Sequence, residues 1–362
     1  MSPPPQLKGG ILVSVLIPAH NAEKWLVPTL KSACSQSLQA IEIIVVDDGS
    51  TDGTAALVEE QAAADPRIRL IRQENGGVGE ARNTAIRASS GKYLAPLDAD
   101  DVWYADKLEL QVRAMEEGGE ETGLVYCWSE KIDQSGRPIT DSFPFEIEGK
   151  VVRSLVLRNF IGNASTPMFR ASVLKKVGLY LTREEQGGAQ GCEDWDLSLR
   201  VTEQSRVAVV RKTLVGYRQV EGCMSLQIDG MSRSYEIAMS RARLRNPDLQ
   251  AKIFRWSAGH FHSYLVSKCY LWGCYRDCLR SIFRAVTSDP LLGSNHKFYL
   301  MGVKSLIRIL TGERGRVPGG PTDPSRSAVA FPARYVRKTF SDSIQTRRRR
   351  KALAEDALSP KS

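Results

Sequence analysis

Three observations predict an α/β fold built on a doubly wound sheet. Strand and helix patterns alternate through residues 11–97, the strands are short and rich in Val and Ile, and polar clusters fall just after them. In order, "ILVSVLIP" predicts a strand, with a helix from about Lys24. "IEIIVV" predicts a second strand, followed by a helix from about Thr54. "IRLI" is a third, with a helix from about Gly79, and "KYLAPL" is a fourth. Runs this apolar suit a parallel sheet covered on both faces. Ligands of such sheets bind outside the carboxyl ends of the strands, where "AHN", "DDGSTDGT" and "DADD" lie. None of these loops is a GxGxxG or GxxxxGK[ST] fingerprint, which sets aside a dehydrogenase or a P-loop ATPase.

Bulk composition narrows the choice further. At 362 residues the chain has room for one large domain and a smaller one. The apolar stretch "ILVSVLIPA" is broken by Ser14 and Pro18, and no run approaches the roughly 18–20 residues of a membrane span. "MSPPPQLKGG" lacks the form of a secretory signal, so a cytoplasmic location is expected. The seven cysteines are expected to be reduced thiols. His260, His262, Cys269, Cys274 and Cys278 crowd together, but without a CxxC pair and inside a helical, apolar pattern, which predicts packed helix residues rather than zinc ligands. The net charge of +9 resides wholly in residues 301–362, which hold 14 basic and 5 acidic side chains.

The acids are the chemically informative residues. Asp98, Asp100 and Asp101 repel one another unless a hard divalent cation turns their crowding into a binding site. Asp47 and Asp48 close an apolar strand, where a buried carboxylate needs a partner. Gly49 and Gly53 permit tight turns there, and Ser50, Thr51 and Asp52 cap the following helix. In "NGGVGEARNTAI" the glycines, Gly77 among them, let backbone pass close to a ligand, and Arg82 lies one turn into the next helix. "GCEDWDLSLR" places Glu193 and Asp194 at a helix start, where acids are also good capping.

"VSVLIPAHN", "IEIIVVDDGSTDGT", "NGGVGEARNTAI" and "GKYLAPLDADD" stand in the order and at the spacing of family 2 glycosyltransferases. The resemblance covers about residues 11–130 and returns near 190–200. It implies a GT-A type doubly wound mixed sheet with a Rossmann-like nucleotide-binding half. It also implies transfer of a sugar from a nucleotide diphosphate sugar, a UDP-sugar foremost, to a glycan or lipid-linked acceptor, with inversion, in cell-surface polysaccharide or glycoconjugate synthesis.

By the same resemblance Asp100 is the direct ligand of Mg²⁺ or Mn²⁺, and Asp98 is its partner, touching the ribose or binding through water. Asp48 reads the base edge, while Pro18, His20 and Glu23 border base and ribose; His20 stands where the family commonly has Tyr. Arg82 either contacts the diphosphate or ribose or forms a structural ion pair with Asp48 or Asp98. Asp194 is the base and Glu193 orients the acceptor; Trp195 is an acceptor wall or core. Asp101 starts the next helix or joins the acid cluster. "YRQVEGCMS" has Val220 where many relatives place His, which leaves Arg218 to neutralise phosphate. "TREEQGGAQG" is expected to be a mobile loop over the donor.

These expectations give three regions: a catalytic domain at 11–228, a helical region at 231–310 and a basic, largely disordered tail at 311–362. The helical region is expected to be a packed cap, with a membrane face as the alternative. "RRRRK", residues 347–351, suits contact with anionic lipid at the inner face of a membrane and gives no ground for specific nucleic-acid binding. The competing function from another class is a catalytically inactive nucleotide- or glycan-binding protein of the same fold. A basic adaptor rests on the tail alone.

Overall fold

The computed structural model describes residues 10–139, 144–220, 227–312, 348, 351 and 354–356. Backbone contacts divide the chain into two compact units, Met1–Lys150 with Phe160–Gln219, and Val151–Asn159 with Val220–Ser362.

The first unit holds one sheet. Its strands are β1 (Val13–Ala19), β2 (Ile41–Asp48), β3 (Ile68–Gln73), β4 (Tyr93–Pro96), β5 (Val102–Trp103), β6 (Thr122–Ile132), β7 (Met168–Arg170) and β8 (Arg206–Arg218). The spatial order is β3-β2-β1-β4-β7-β6-β8-β5. β3, β2, β1 and β4 run parallel, whereas β7 is antiparallel to both β4 and β6, so the sheet is mixed. Helices α1 (Glu23–Cys34), α2 (Thr54–Ala64) and α3 (Val78–Ala88) connect the parallel strands, and α4 (Lys107–Glu117) precedes β6. Between β7 and β8 lie α6 (Ala171–Val177) and α7 (Glu193–Gln204).

Every residue of β1 is buried, which accounts for its unbroken apolar run. α1 turns Leu26, Leu30 and Ala33 into the same core, where burying a leucine side chain contributes about 1.5–3 kcal/mol. Pro18 can sit in this central strand because it lies beyond the last register pair with β4, Leu16↔Pro96, and pairs only with Val46. The α4 helix begins at Lys107 and β5 intervenes, so of the two alternatives for Asp101 the helix start does not hold.

The second unit is helical. It comprises α5 (Val152–Leu157), α8 (Ile228–Arg245), α9 (Ala251–Leu271), α10 (Tyr275–Ser288), a 3₁₀ turn at Pro290–Ser294 and α11 (His296–Leu310). Its boundary falls at residue 220 rather than at 228–231, and it takes residues 151–159 from within the expected catalytic span, because these pack with the helices. Tyr235 stacks on Phe261 with ring centroids 4.1 Å apart, and its hydroxyl donates to Ser257 Oγ at 2.8 Å. Cys269, Cys278 and His262 are buried in this packing.

Most of the expected tail, residues 313–347, lies outside the described residues. Beyond that stretch, Arg348 pairs with Asp289 and lies over Trp256, and Asp356 accepts from the Arg153 and Ser154 backbone N–H groups, each at 3.0 Å. The expected disorder does not extend to these two positions, because both carry partners in the helical unit.

Candidate active site

The site forms in the first unit, where the loops leaving β1, β2 and β4 meet the start of α7. The first two loops are sewn together by hydrogen bonds. The Asn21 N–H donates to Ser50 Oγ, and Asn21 Oδ1 accepts from the Thr51 N–H at 2.8 Å. Glu23 Oε2 accepts from the Gly53 N–H at 2.9 Å, and the Ala22 N–H donates to Thr54 Oγ1 at 2.8 Å. His20 is exposed, with Nδ1 2.8 Å from the Asp48 carbonyl; a proton on Nδ1 makes that bond and leaves Nε2 as acceptor.

Asp48 is buried and its carboxylate accepts three hydrogen bonds. Oδ1 accepts from the Gly76 N–H and from Gln73 Nε2, and Oδ2 accepts from the Gly77 N–H, all at 2.8 Å. Asp48 thus shapes the turn into α3. Gly77 has φ +89° and an added Cβ would lie 2.7 Å from Gln190 Oε1, so only glycine suits the turn. The same Gln190 oxygen accepts from the Val78 N–H, and Arg183 donates to the Asn75 carbonyl. The loop at residues 182–191, expected to be mobile, is in this way fastened to the α3 turn.

The acids after β4 have three different environments. Asp98 Oδ1 accepts from Arg82 Nη2 at 2.6 Å. Asp101 is a buried hub that accepts from Ser165 Oγ, Asn163 Nδ2 and the Arg218 N–H. Burial, then Asp100 and Asp98, pushes its carboxyl well above the usual range. Asp100 is half-buried and accepts no side-chain hydrogen bond from another described residue. Burial and the Asp98 charge push its carboxyl up to about 7.

Arg218, expected to neutralise phosphate, has two of its three guanidinium nitrogens engaged. Its Nε donates to the Asp100 carbonyl, its Nη1 donates to the carbonyls of Asp133 and Gln134, and its guanidinium stacks over Trp25 at 5.0 Å. These contacts make it a brace for the acid loop.

Arg82 joins the two acid motifs. Only 3% of its side chain is exposed, and while Nη2 holds Asp98, Nη1 donates to Glu193 Oε1 at 2.8 Å. Burial opposes the charge, yet the Asp98 and Glu193 carboxylates keep the guanidinium protonated. Its Nε, buried, has no hydrogen-bond partner among the described residues. Of the two alternatives for Arg82, the structure shows the ion pair with Asp98 and adds Glu193, 111 residues away in sequence. Glu193 Oε2 also accepts from the Gly191 N–H. Beside it Asp194 is half-buried, with Oδ1 accepting from the Trp195 N–H; burial and the Glu193 charge push it up to about 7. Trp195 is buried, as a core residue would be.

Asp100 tests the fit of a divalent ion. A carboxylate raised by burial and a like charge, and given no neighbouring donor, gains from a hard cation, and Mg²⁺ is commonly held by one or two carboxylates together with substrate phosphates. Asp98 and Asp100 satisfy that requirement. No cluster of three or more His, Cys, Asp or Glu ligands occurs among the described residues, so two carboxylates are the contribution of those residues there.

The predicted residues therefore gather at one sheet edge; of the residues that hold them, Gln73 and Ser165 lie outside the sequence motifs, and Asn75, Gln190 and Gly191 lie inside them with no role assigned from sequence. Asn75 resembles any loop asparagine until its Nδ2 is seen donating to the Asp48 carbonyl at 3.0 Å.

Residues 14–178 match the family model described as glycosyl transferase family 2. Chondroitin synthase of Escherichia coli is 33% identical over 201 residues, which is 54% of this chain and 27% of that protein. An uncharacterized glycosyltransferase of Rickettsia bellii is 29% identical over 210 residues, 56% of this chain and 28% of that protein. The matched stretch thus spans little more than a quarter of either relative. S. aureus TarS 1-349 in complex with UDP-GlcNAc has the same fold, with a TM-score of 0.59 at 18% identity, covering 83% of this chain and 92% of that one. The motifs, the mixed sheet and the match of residues 14–178 to the glycosyl transferase family 2 model agree, and the fold is the GT-A type seen in TarS.

Proposed function

We propose that this chain is an inverting glycosyltransferase that moves a sugar from a nucleotide diphosphate sugar, a UDP-sugar, to a glycan or lipid-linked acceptor in cell-surface polysaccharide or glycoconjugate synthesis. The carrying observation is the Arg82 bridge, which fixes the Asp98 strand end and the Glu193–Asp194 helix start to one guanidinium, at 2.6 and 2.8 Å. A UDP-sugar is supported by the TarS structures, which hold UDP-GlcNAc and UDP.

The nucleotide lies against the loops of Pro18, His20, Glu23, Asp48 and Gly77, which their mutual hydrogen bonds present as a rigid floor. Asp98 and Asp100 would hold Mg²⁺ or Mn²⁺, whose charge favours departure of the diphosphate. Asp194 takes the proton of the acceptor hydroxyl as that oxygen attacks the anomeric carbon from the face opposite the diphosphate. The sugar–phosphate bond breaks, and its electron pair leaves on the nucleotide. One attack with one base inverts the anomeric centre. Glu193, held by Arg82 and the Gly191 N–H, keeps its place to orient the acceptor. The work belongs at the inner face of a membrane, where a lipid-linked acceptor and the basic tail would meet.

The test is UDP release from a panel of UDP-sugars by wild type and Asp194→Asn, with UDP affinity measured by calorimetry. A loss of about 10³-fold in turnover with affinity held within about twofold is expected for a missing base. Unchanged turnover in the variant would contradict the assignment of the base; no turnover in wild type alongside tight UDP binding would point to the catalytically inactive binding protein.

A further inference from the structure

We infer that the outward face of α11 is a docking surface for an anionic lipid bilayer. The sequence predicts a packed cap for this region, yet α11 leaves Tyr299, Leu300, Val303, Leu306, Ile307 and Leu310 between 42% and 85% exposed. At 3.6 residues per turn these six side chains share one arc of about 120°, while Phe298 and Ser305 face the helical unit. Contiguous apolar surface of this kind marks an interaction site.

Charge selects the occupant. α11 contains no Asp or Glu, and its cations Lys297 and Lys304 line one edge of the apolar arc, while the Arg308 guanidinium lies over Tyr270 and Tyr275. Lys and Arg in that position lay their stems along an apolar surface while their charged ends reach anionic headgroups. A second copy of the same face would bring cation rows together with no acid between them. Residues 313–362, with twelve Lys and Arg against five Asp and Glu, share that sign and so suit the same anionic surface rather than the helix. At 15 residues α11 reaches about 22 Å, short of the roughly 30 Å of a bilayer core, and among the described residues no helix is long and apolar enough to cross a membrane. The helix would therefore lie in the interface. The inference stands apart from the catalytic reading, since it uses none of the acid motifs.

The experiment is co-sedimentation of the full chain with vesicles of equal parts phosphatidylcholine and phosphatidylglycerol, and with phosphatidylcholine alone. Binding to the anionic vesicles is expected to fall about tenfold or more in the double variant Leu306→Gln, Ile307→Gln, with an unchanged thermal melt because both side chains are exposed. Lys304→Gln is expected to weaken the same binding about fivefold and to leave the weak binding to phosphatidylcholine unaltered. Absence of vesicle binding, or binding that the double variant retains in full, would overturn the inference. So would a dimer in solution that the double variant converts to monomer, which would make the face a contact between copies.

Discussion

Asp48 and Asp100 lie at the same edge of one sheet, after β2 and β4, and the protein treats them in opposite ways. Asp48 is supplied with three N–H donors at 2.8 Å and becomes part of the scaffold. Asp100 is supplied with none by another described residue, and burial beside Asp98 lifts its carboxyl to about 7. Asp194, at the head of α7, is supplied with one, the Trp195 N–H, and is likewise lifted to about 7. A buried carboxylate given donors holds backbone in place, whereas one denied them is available to a cation or a proton.

The contrast can be broken most severely at Arg82. Arg82→Met leaves Asp98 and Glu193 without their shared cation, and loss of one partner in a buried network costs about 3–5 kcal/mol. A fall in Tm on the order of 10 °C is expected. A shift of a degree or less would show that the bridge does not hold the motifs together. Asp48→Ala comes next: it strands the Gly76 and Gly77 N–H groups and Gln73, for about 2–3 kcal/mol. Denaturant unfolding checks this value, and a neutral result would remove Asp48 from the scaffold.

Asp194→Asn should act in the reverse direction. The folded-state pKa of Asp194 is raised to about 7 from an ordinary value near 4, so ionising it weakens the fold as pH rises between those values. Removing the charge is expected to stabilise the protein by roughly 1–3 kcal/mol at pH 8 and to leave stability at pH 4 unchanged. Melting curves at the two pH values measure the difference. In wild type, turnover should decline below about pH 7 as Asp194 takes up its proton.

The parallel half of the fold was open to sequence because its signals are local. The predicted strand and helix starts fall within two residues of β1 to β4 and α1 to α3, since each is an apolar run bounded by turn residues. The three-residue β7 and the two-residue β5 have too few residues for any periodicity, so the antiparallel joins that make the sheet mixed come from the family resemblance instead. The acids were likewise visible as residue types, but their roles depend on donors far away in the chain. Asp101 resembles a helix start until Ser165 and Arg218 are folded onto it, and the carbonyls that take Arg218 Nη1 lie 84 and 85 residues away in sequence. The α11 stripe is visible as a period, but only the packed helices show which apolar residues stay outside.

The most direct measurement is a calorimetric titration of UDP, with and without Mn²⁺, into wild type, Asp100→Ala and Asp194→Asn. Wild type and Asp194→Asn are expected to bind UDP at least about tenfold more tightly when Mn²⁺ is present, and Asp100→Ala to lose that gain. If Asp100→Ala binds UDP with the same Mn²⁺ dependence as wild type, the carboxylate without donors is not a cation ligand, and the division of labour between Asp48 and Asp100 falls with it.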